Sequence, residues 1–135
     1  MKGDTMDLNK LKPVMADEGA IMQVRHPETE DAIDGMTITL LGQDSAVYKK
    51  IQLGKQQAAL SRISKGKKAV DLDATKLAED GIDDLVKLTV GWEGFTLDGK
   101  KLDATPDNVR MVFSDWNWLR EQAQEFVADR AHFFR

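Results

Sequence analysis

The C-terminal part of the chain contains the most regular helical pattern in the sequence. From Ser114 onward, apolar or long side chains recur at intervals of three and four residues, as they do along one side of an α-helix. The residues in this pattern are Trp116, Leu119, Ala123, Phe126, Val127, Arg130, Phe133 and Phe134. The pattern predicts a helix that runs to the end of the sequence and buries one face against the rest of the protein.

Three further helices are predicted upstream. One begins at Asp44 or Ser45 as N-cap and ends at Gly66, and a second spans about 73–90 with Trp92 extending its apolar stripe. That stripe consists of Ala78, Ile82, Leu85, Thr89 and Trp92. A third begins at Thr105-Pro106-Asp107, an N-cap followed by proline at the first helical position. Before it, Asp98-Gly99 predicts a two-residue turn with a small β-ribbon around it.

Residues 20–41 have the alternation of a β-hairpin. Met22 and Val24 alternate with Ile21 and Gln23, and a second alternating run follows the turn-forming segment HPETEDAIDG. Two strands alone are marginal in water, so the hairpin must pack on the helices. We therefore expect an α+β fold, with an N-terminal hairpin on about four helices. Residues 1–18 are expected to be a mobile arm, and residues 19–135 a single domain.

Composition restricts the class of protein. The 135 residues suffice for one domain with a real core, and 41% of them are hydrophobic. No run approaches the ~20 apolar residues of a membrane span, and the N-terminus lacks the apolar region of a signal peptide. There is no cysteine, which excludes disulfides and thiolate chemistry. We expect a cytoplasmic protein that does not bind membranes.

The residue patterns of catalytic and metal sites are missing from the sequence. His26 precedes proline in a turn and His132 lies near the C-terminus, and neither belongs to a metal motif or a triad. The acidic run from Asp71 fails as an EF-hand, because Lys76 and Ile82 occupy the positions that need glycine and glutamate. The GKK at 66–68 is not a P-loop. We expect no enzymatic activity and no cofactor.

Charge is distributed unevenly along the chain. The net charge is −4, yet residues 49–68 hold seven basic side chains and no acid, whereas residues 71–84 hold six acids. The basic residues, among them Lys49, Lys50 and Arg62, are interpreted first as a solvated helix face. Docking to an acidic protein surface, or to another copy of the chain, is a second interpretation. Nucleic-acid binding is a third and the least favoured, because Tyr48 is the one aromatic beside them.

All three tryptophans lie between Gly91 and Trp118. Trp92 and Trp116 end and begin apolar stripes, which favours a role in packing two helices together. Trp118 lies off the main stripe and is predicted to form an exposed apolar strip with Phe133 and Phe134 that binds a partner, together with Phe126. On this hypothesis, Trp118→Ala, or alanine at both 133 and 134, weakens partner binding more than it lowers the melting temperature.

The segment from Val90 to Phe134 resembles the C-terminal region of the tail assembly chaperones of long-tailed bacteriophages, and residues 36–52 resemble the strand-then-helix entry of such proteins. In that family a helix ends in Trp-x-Gly, an acidic turn and a Thr-Pro-Glu-Asn-like start follow, and Trp-Leu-x-x-Gln opens the last helix. The matching residues here are Trp92, Gly94, Asp98-Gly99, Thr105-Pro106-Asp107-Asn108, Trp118-Leu119 and Gln122. The resemblance covers roughly residues 36–134 and is strongest at 88–126.

This resemblance implies a protein that performs no chemistry. Such chaperones keep the long helical tape measure protein soluble, assist the tail tube protein to polymerise around it, and then leave. The implied location is the host bacterial cytoplasm, with absence from the mature virion, and self-association is a further expectation. Two alternatives remain open at this point: a structural head–tail or tail component, and a small nucleic-acid-binding regulator that uses residues 49–68.

Overall fold

The predicted N-terminal hairpin is confirmed. A computed structural model describes residues 5–64 and 74–134 of the chain. In it, two antiparallel strands place Met22 opposite Ile38, and both of these side chains are buried. The elements in chain order are α1 (Met15–Glu18), β1 (Ala20–Arg25), β2 (Ala32–Leu40), α2 (Ala46–Ser64), α3 (Ala74–Leu88), β3 (Thr89–Glu93), β4 (Thr96–Leu97), β5 (Lys100–Lys101), α4 (Pro106–Asp115) and α5 (Asn117–Ala128).

A third strand completes the sheet, and its position differs from the sequence prediction. Thr89 and Trp92 were expected to continue a helical stripe, but α3 ends at Leu88 and residues 89–93 pair antiparallel with β2. Thr89 contributes to the ending, because its hydroxyl donates to the carbonyl of Leu85 at 2.6 Å. Strand pairing satisfies the backbone of this β-branched and glycine-containing segment, which is a poor helix former. The sheet order is β1-β2-β3.

The core lies between this sheet and three helices. Strands β1 and β2 and helices α3, α4 and α5 contribute most of the buried apolar side chains, which gives the α+β architecture that the sequence predicts. The described part of the chain contains five α-helices, of which α1 is a single turn of four residues. The buried core residues are Met22, Val24, Ile38, Leu40, Ile82, Leu85, Leu88, Phe95, Val109, Val112, Phe113, Leu119, Ala123 and Val127.

The turn and helix-start signals before α4 are confirmed. Asp98 and Gly99 both have positive φ, +52° and +78°, as a type I′ turn between β4 and β5 requires. Thr105 caps α4 by accepting a hydrogen bond from the amide of Asn108 at 3.2 Å. Trp116 then separates α4 from α5.

The last helix is shorter than predicted. It ends at Ala128, and Arg130–Phe133 form a 3₁₀ turn whose N-cap is Asp129. The Asp129 carboxylate accepts a hydrogen bond from the amide of Ala131 at 3.1 Å. A short acidic residue that caps the next turn competes with continuation of the helix. The three- and four-residue spacing of apolar or long side chains continues in the sequence to Phe134, but beyond Val127 it does not correspond to an α-helical face.

The predicted arm also differs from the structure at its C-terminal end. Residues 15–18 form α1, and Ala16 is buried against Ala20 and Phe133. The Asp17 carboxylate accepts a hydrogen bond from the Ala46 amide at 2.7 Å, next to the start of α2. Docking to the domain thus begins at about residue 15, whereas residues 5–12 are exposed.

Helix α2 begins as predicted, with Ser45 as its N-cap. The Ser45 hydroxyl accepts from the amide of Tyr48 at 3.1 Å and donates to the carbonyl of Gly42 at 2.6 Å. None of the 19 residues of α2 is buried. The predicted helix end at Gly66 and the acidic caps Asp71 and Asp73 lie outside the described residues.

Candidate partner-binding surface

The predicted strip of exposed aromatics does not exist in the structure. Phe133 is 1% exposed, and its ring lies against the backbone of Gly42 and the side chains of Ala16 and Ala20. A Cβ atom on Gly42 would lie 2.8 Å from the Phe133 ring. The 3₁₀ turn after α5 gives Phe133 this position, which a continuous helix would not have given it. Its assignment to a partner-binding site was therefore wrong.

The aromatic side chains next to Phe133 are more exposed to solvent than Phe133 itself. Phe126 is partly buried and packs on the main core and on the small cluster of Ala16, Ala20 and Phe133. Its ring stacks on His132 with ring centroids 4.1 Å apart. Phe134 is 37% exposed. His132 is exposed and lies 3.8 Å from the Asp129 carboxylate. Phe134 is the one phenylalanine of the predicted strip that the structure leaves at the surface.

Trp118 lies at the opposite end of α5 from these residues. A helix of 12 residues is about 18 Å long, so Trp118 and Phe134 cannot form one continuous patch. Trp118 is partly buried on the main core. With Trp116, Phe95, Leu102 and Met36 it lines an apolar cavity of about 150 Å³ beneath the β4–β5 ribbon. Trp92 and Trp116 are likewise partly buried and packed on the core, in line with their predicted role.

The residues that carry the family resemblance form the joint between the sheet and the C-terminal helices. Trp92 stacks on Phe95 at 4.3 Å and donates its indole N–H to the Leu102 carbonyl at 2.8 Å. Gln122 accepts from the Arg25 amide at 3.0 Å and donates to the Arg25 carbonyl at 2.7 Å. This pair of bonds satisfies backbone groups at the edge of β1, which would otherwise be open to pairing.

The basic residues of α2 fall on two sides of the helix. Lys50 and Arg62 line a cleft of about 800 Å³ between α2 and α3, whose opposite wall includes Asp80 and Asp84. Lys55 forms an ion pair with Asp84 across this cleft at 2.5 Å. The uneven charge of the sequence is therefore matched in part within the chain itself. Lys65, Lys67 and Lys68 lie outside the described residues.

The outer side of α2, facing away from this cleft, is apolar and exposed. Leu53, Leu60 and Ile63 are 54%, 65% and 56% exposed. Their spacing of seven and three residues places them on one side of the helix, with Lys49 one turn before Leu53. We call these four residues the outer face of α2. Large apolar side chains grouped on one exposed helix face are typical of protein-binding surfaces.

Sequence reasoning missed most of the outer face. Helical spacing in the sequence selects Val47, Tyr48, Ile51, Ala58, Ala59 and Ile63 as the apolar stripe of α2. Of these, Val47, Ile51 and Ala58 line the cleft. Leu53 and Leu60 were assigned no role. Their heptad spacing was the available signal, but α2 has apolar residues on more than one side, so periodicity alone does not select a face.

Metal sites and membrane-spanning helices are further possibilities for the part of the chain that the structure describes. There, no group of three or more His, Cys, Asp or Glu side chains could hold a metal ion. The described helices also include none with the length and apolarity of a membrane span. The comparisons add no assignment: the chain matches no protein-family model, no curated protein and no solved structure.

Proposed function

We propose that the protein is a phage or prophage tail assembly chaperone, which binds the helical tape measure protein, keeps it soluble and assists the tail tube protein to polymerise around it. The observation that supports this most is α2. It is a 19-residue helix without a buried side chain, yet it exposes two leucines and an isoleucine on one face.

A helix of this kind gains little of its stability from packing. Leaving a large aliphatic side chain in water forfeits about 1.5–3 kcal/mol of burial free energy. Burying the outer face under the apolar stripe of another helix would recover part of it. Weak contacts repeated by many copies along a long client would add up to strong binding. This is the physical requirement for a protein that holds a helical polypeptide without acting on it chemically.

The resemblance supports the same proposal from different residues. Trp92 and Gln122 make hydrogen bonds in the joint between sheet and helices, Gly94 and Asp98-Gly99 supply backbone with positive φ, and Thr105 caps α4. A family pattern made of such residues specifies the fold of the C-terminal region. The binding surface is then presented by a different element, helix α2. On this proposal the protein acts in the host bacterial cytoplasm and leaves before the virion is complete.

Co-expression tests the proposal. The tape measure protein encoded in the same gene cluster should remain largely in the insoluble fraction when expressed alone and become mostly soluble with this chain, co-purifying with it. The measurement is the soluble fraction of the client by quantitative gel densitometry. A client that stays insoluble with a well-folded, equally abundant partner would contradict the proposal. Recovery of the chain from purified virions would instead favour a structural tail component.

A further inference from the structure

The outer face of α2 has a charge character that restricts what can cover it. Between Ala46 and Ser64 the helix has four basic residues and no acidic one. Lys55 pairs with Asp84, and Lys50 and Arg62 line the cleft. Lys49 lies on the outer face itself, one turn before Leu53, and is exposed. The apolar stripe is thus flanked by positive charge at its N-terminal end.

We propose that the outer face of α2 binds a client helix whose apolar stripe is flanked by glutamate or aspartate. This rests on the proposed function and adds the chemical character of the client segment. Two amphipathic helices bury their apolar stripes against each other, and charges beside the stripe decide which partners are accepted. A partner with acidic flanks places a carboxylate near Lys49, whereas basic flanks bring like charges together.

A second copy of α2 is a poor occupant for the same electrostatic reason. Two such helices side by side would bring only positive charges beside a shared stripe, which is repulsive. The acidic helix of a second copy, α3, is also a poor occupant. Its apolar residues Ile82, Leu85 and Leu88 are already buried in the core, and Leu77 is the one large apolar side chain it exposes in the described residues.

Two synthetic helical peptides provide the test. Both have the same leucine stripe at a and d positions, and one has glutamate and the other lysine at the flanking positions. Binding of each labelled peptide to the full chain is measured by fluorescence anisotropy in 50 mM salt. We expect the glutamate peptide to bind about three- to fivefold more tightly, since the exposed Lys49 attracts the one peptide and repels the other. The preference should shrink in 300 mM salt.

Substitutions in the outer face of α2, with a matched control elsewhere, test whether the peptide binds there. L53Q/L60Q/I63Q should weaken binding of the glutamate peptide at least tenfold without changing the melting temperature, because glutamine and leucine have similar helix propensity and these positions are exposed. K49E should abolish or reverse the peptide preference. K100E, the same charge change at an exposed position on β5, should leave it unchanged.

Different experimental results would contradict this inference and the proposed function. Equal affinity for the two peptides, or full binding by L53Q/L60Q/I63Q, would contradict the inference. So would sedimentation showing a dimer of the wild-type chain that the triple variant dissociates, since a second copy would then cover the face. If the triple variant solubilises the tape measure protein as well as the wild type does, the proposed function stands and this surface is wrong. If the peptides behave as expected but the client stays insoluble, the proposed function alone fails.

Discussion

Replacing Phe133 with alanine is expected to lower the free energy of unfolding by about 3–5 kcal/mol, the range for a buried phenylalanine. The ring is 1% exposed, contacts Ala16, Ala20 and the backbone of Gly42, and makes an edge-to-face contact with Phe126 at 5.5 Å. Truncation would leave a cavity where α1, the end of β2 and the C-terminal turn meet. Urea denaturation followed by tryptophan fluorescence measures the change.

The adjacent residue is a matched control for this substitution. Phe134 is 37% exposed, so Phe134→Ala should cost clearly less, about 1 kcal/mol or below. The comparison also decides between the sequence-based and the structural assignment of Phe133. If Phe133→Ala left stability unchanged and reduced client binding, the exposed-strip hypothesis would be right and the packing described here wrong.

Gly94→Ala is expected to cost about 3 kcal/mol of folding free energy. Gly94 has φ +80°, where an L side chain costs about 1–2 kcal/mol. In addition, an alanine Cβ would lie 2.2 Å from the carbonyl oxygen of Gly35 and 2.9 Å from the Cα of Met36. These are backbone atoms of β2 and cannot move aside as a flexible side chain would, so β3 must shift relative to β2.

Gly99→Ala isolates the steric part of this effect. Gly99 has nearly the same φ, +78°, but a Cβ there meets no atom within 4 Å. Its substitution should cost only the backbone term, about 1–2 kcal/mol. The two variants are compared by urea denaturation followed by tryptophan fluorescence. Equal losses would show that the close approach of β3 to Gly35 is not present.

Local signals in the sequence were sufficient for much of the fold. Alternation identified β1 and β2, Asp98-Gly99 identified its turn, and Thr105-Pro106 identified the start of α4. Each of these is decided by residues within a few positions of one another. Backbone conformation and hydrogen bonds to the nearest amides dominate there, so a short window of sequence contains the information.

The predictions that were wrong concern segments whose structure depends on contacts with residues far away in the sequence. Residues 89–93 continue the apolar period of α3, and only the open edge of β2, some fifty residues earlier, makes them a strand. At the other end of the fold, Asp129 begins a 3₁₀ turn in a segment without glycine or proline to mark a break. The packing of Phe133 on Ala16 and Ala20 is a contact between the two ends of the chain. The spacing of apolar residues in the sequence does not distinguish these segments from a continuous amphipathic helix.

The candidate site was predictable only in part. The sequence identified α2 as a basic helix, and Lys49, Lys50 and Arg62 as residues of interest. It could not show that Arg62 and Lys50 face the acids of α3 while Lys49 faces outward. That division depends on how α2 is oriented on α3. The apolar content of α2 is spread around the helix, so the exposed side became visible only with its neighbour in place.

Photo-crosslinking from the outer face of α2 tests the central claim most directly. Benzoylphenylalanine is introduced at position 60, or at the exposed position 121 on α5 as a control, in the chain co-expressed with the tape measure protein. We expect a covalent adduct with the client from position 60 and little or none from position 121. A soluble, co-purifying client that crosslinks from position 121 and not from position 60 would contradict it.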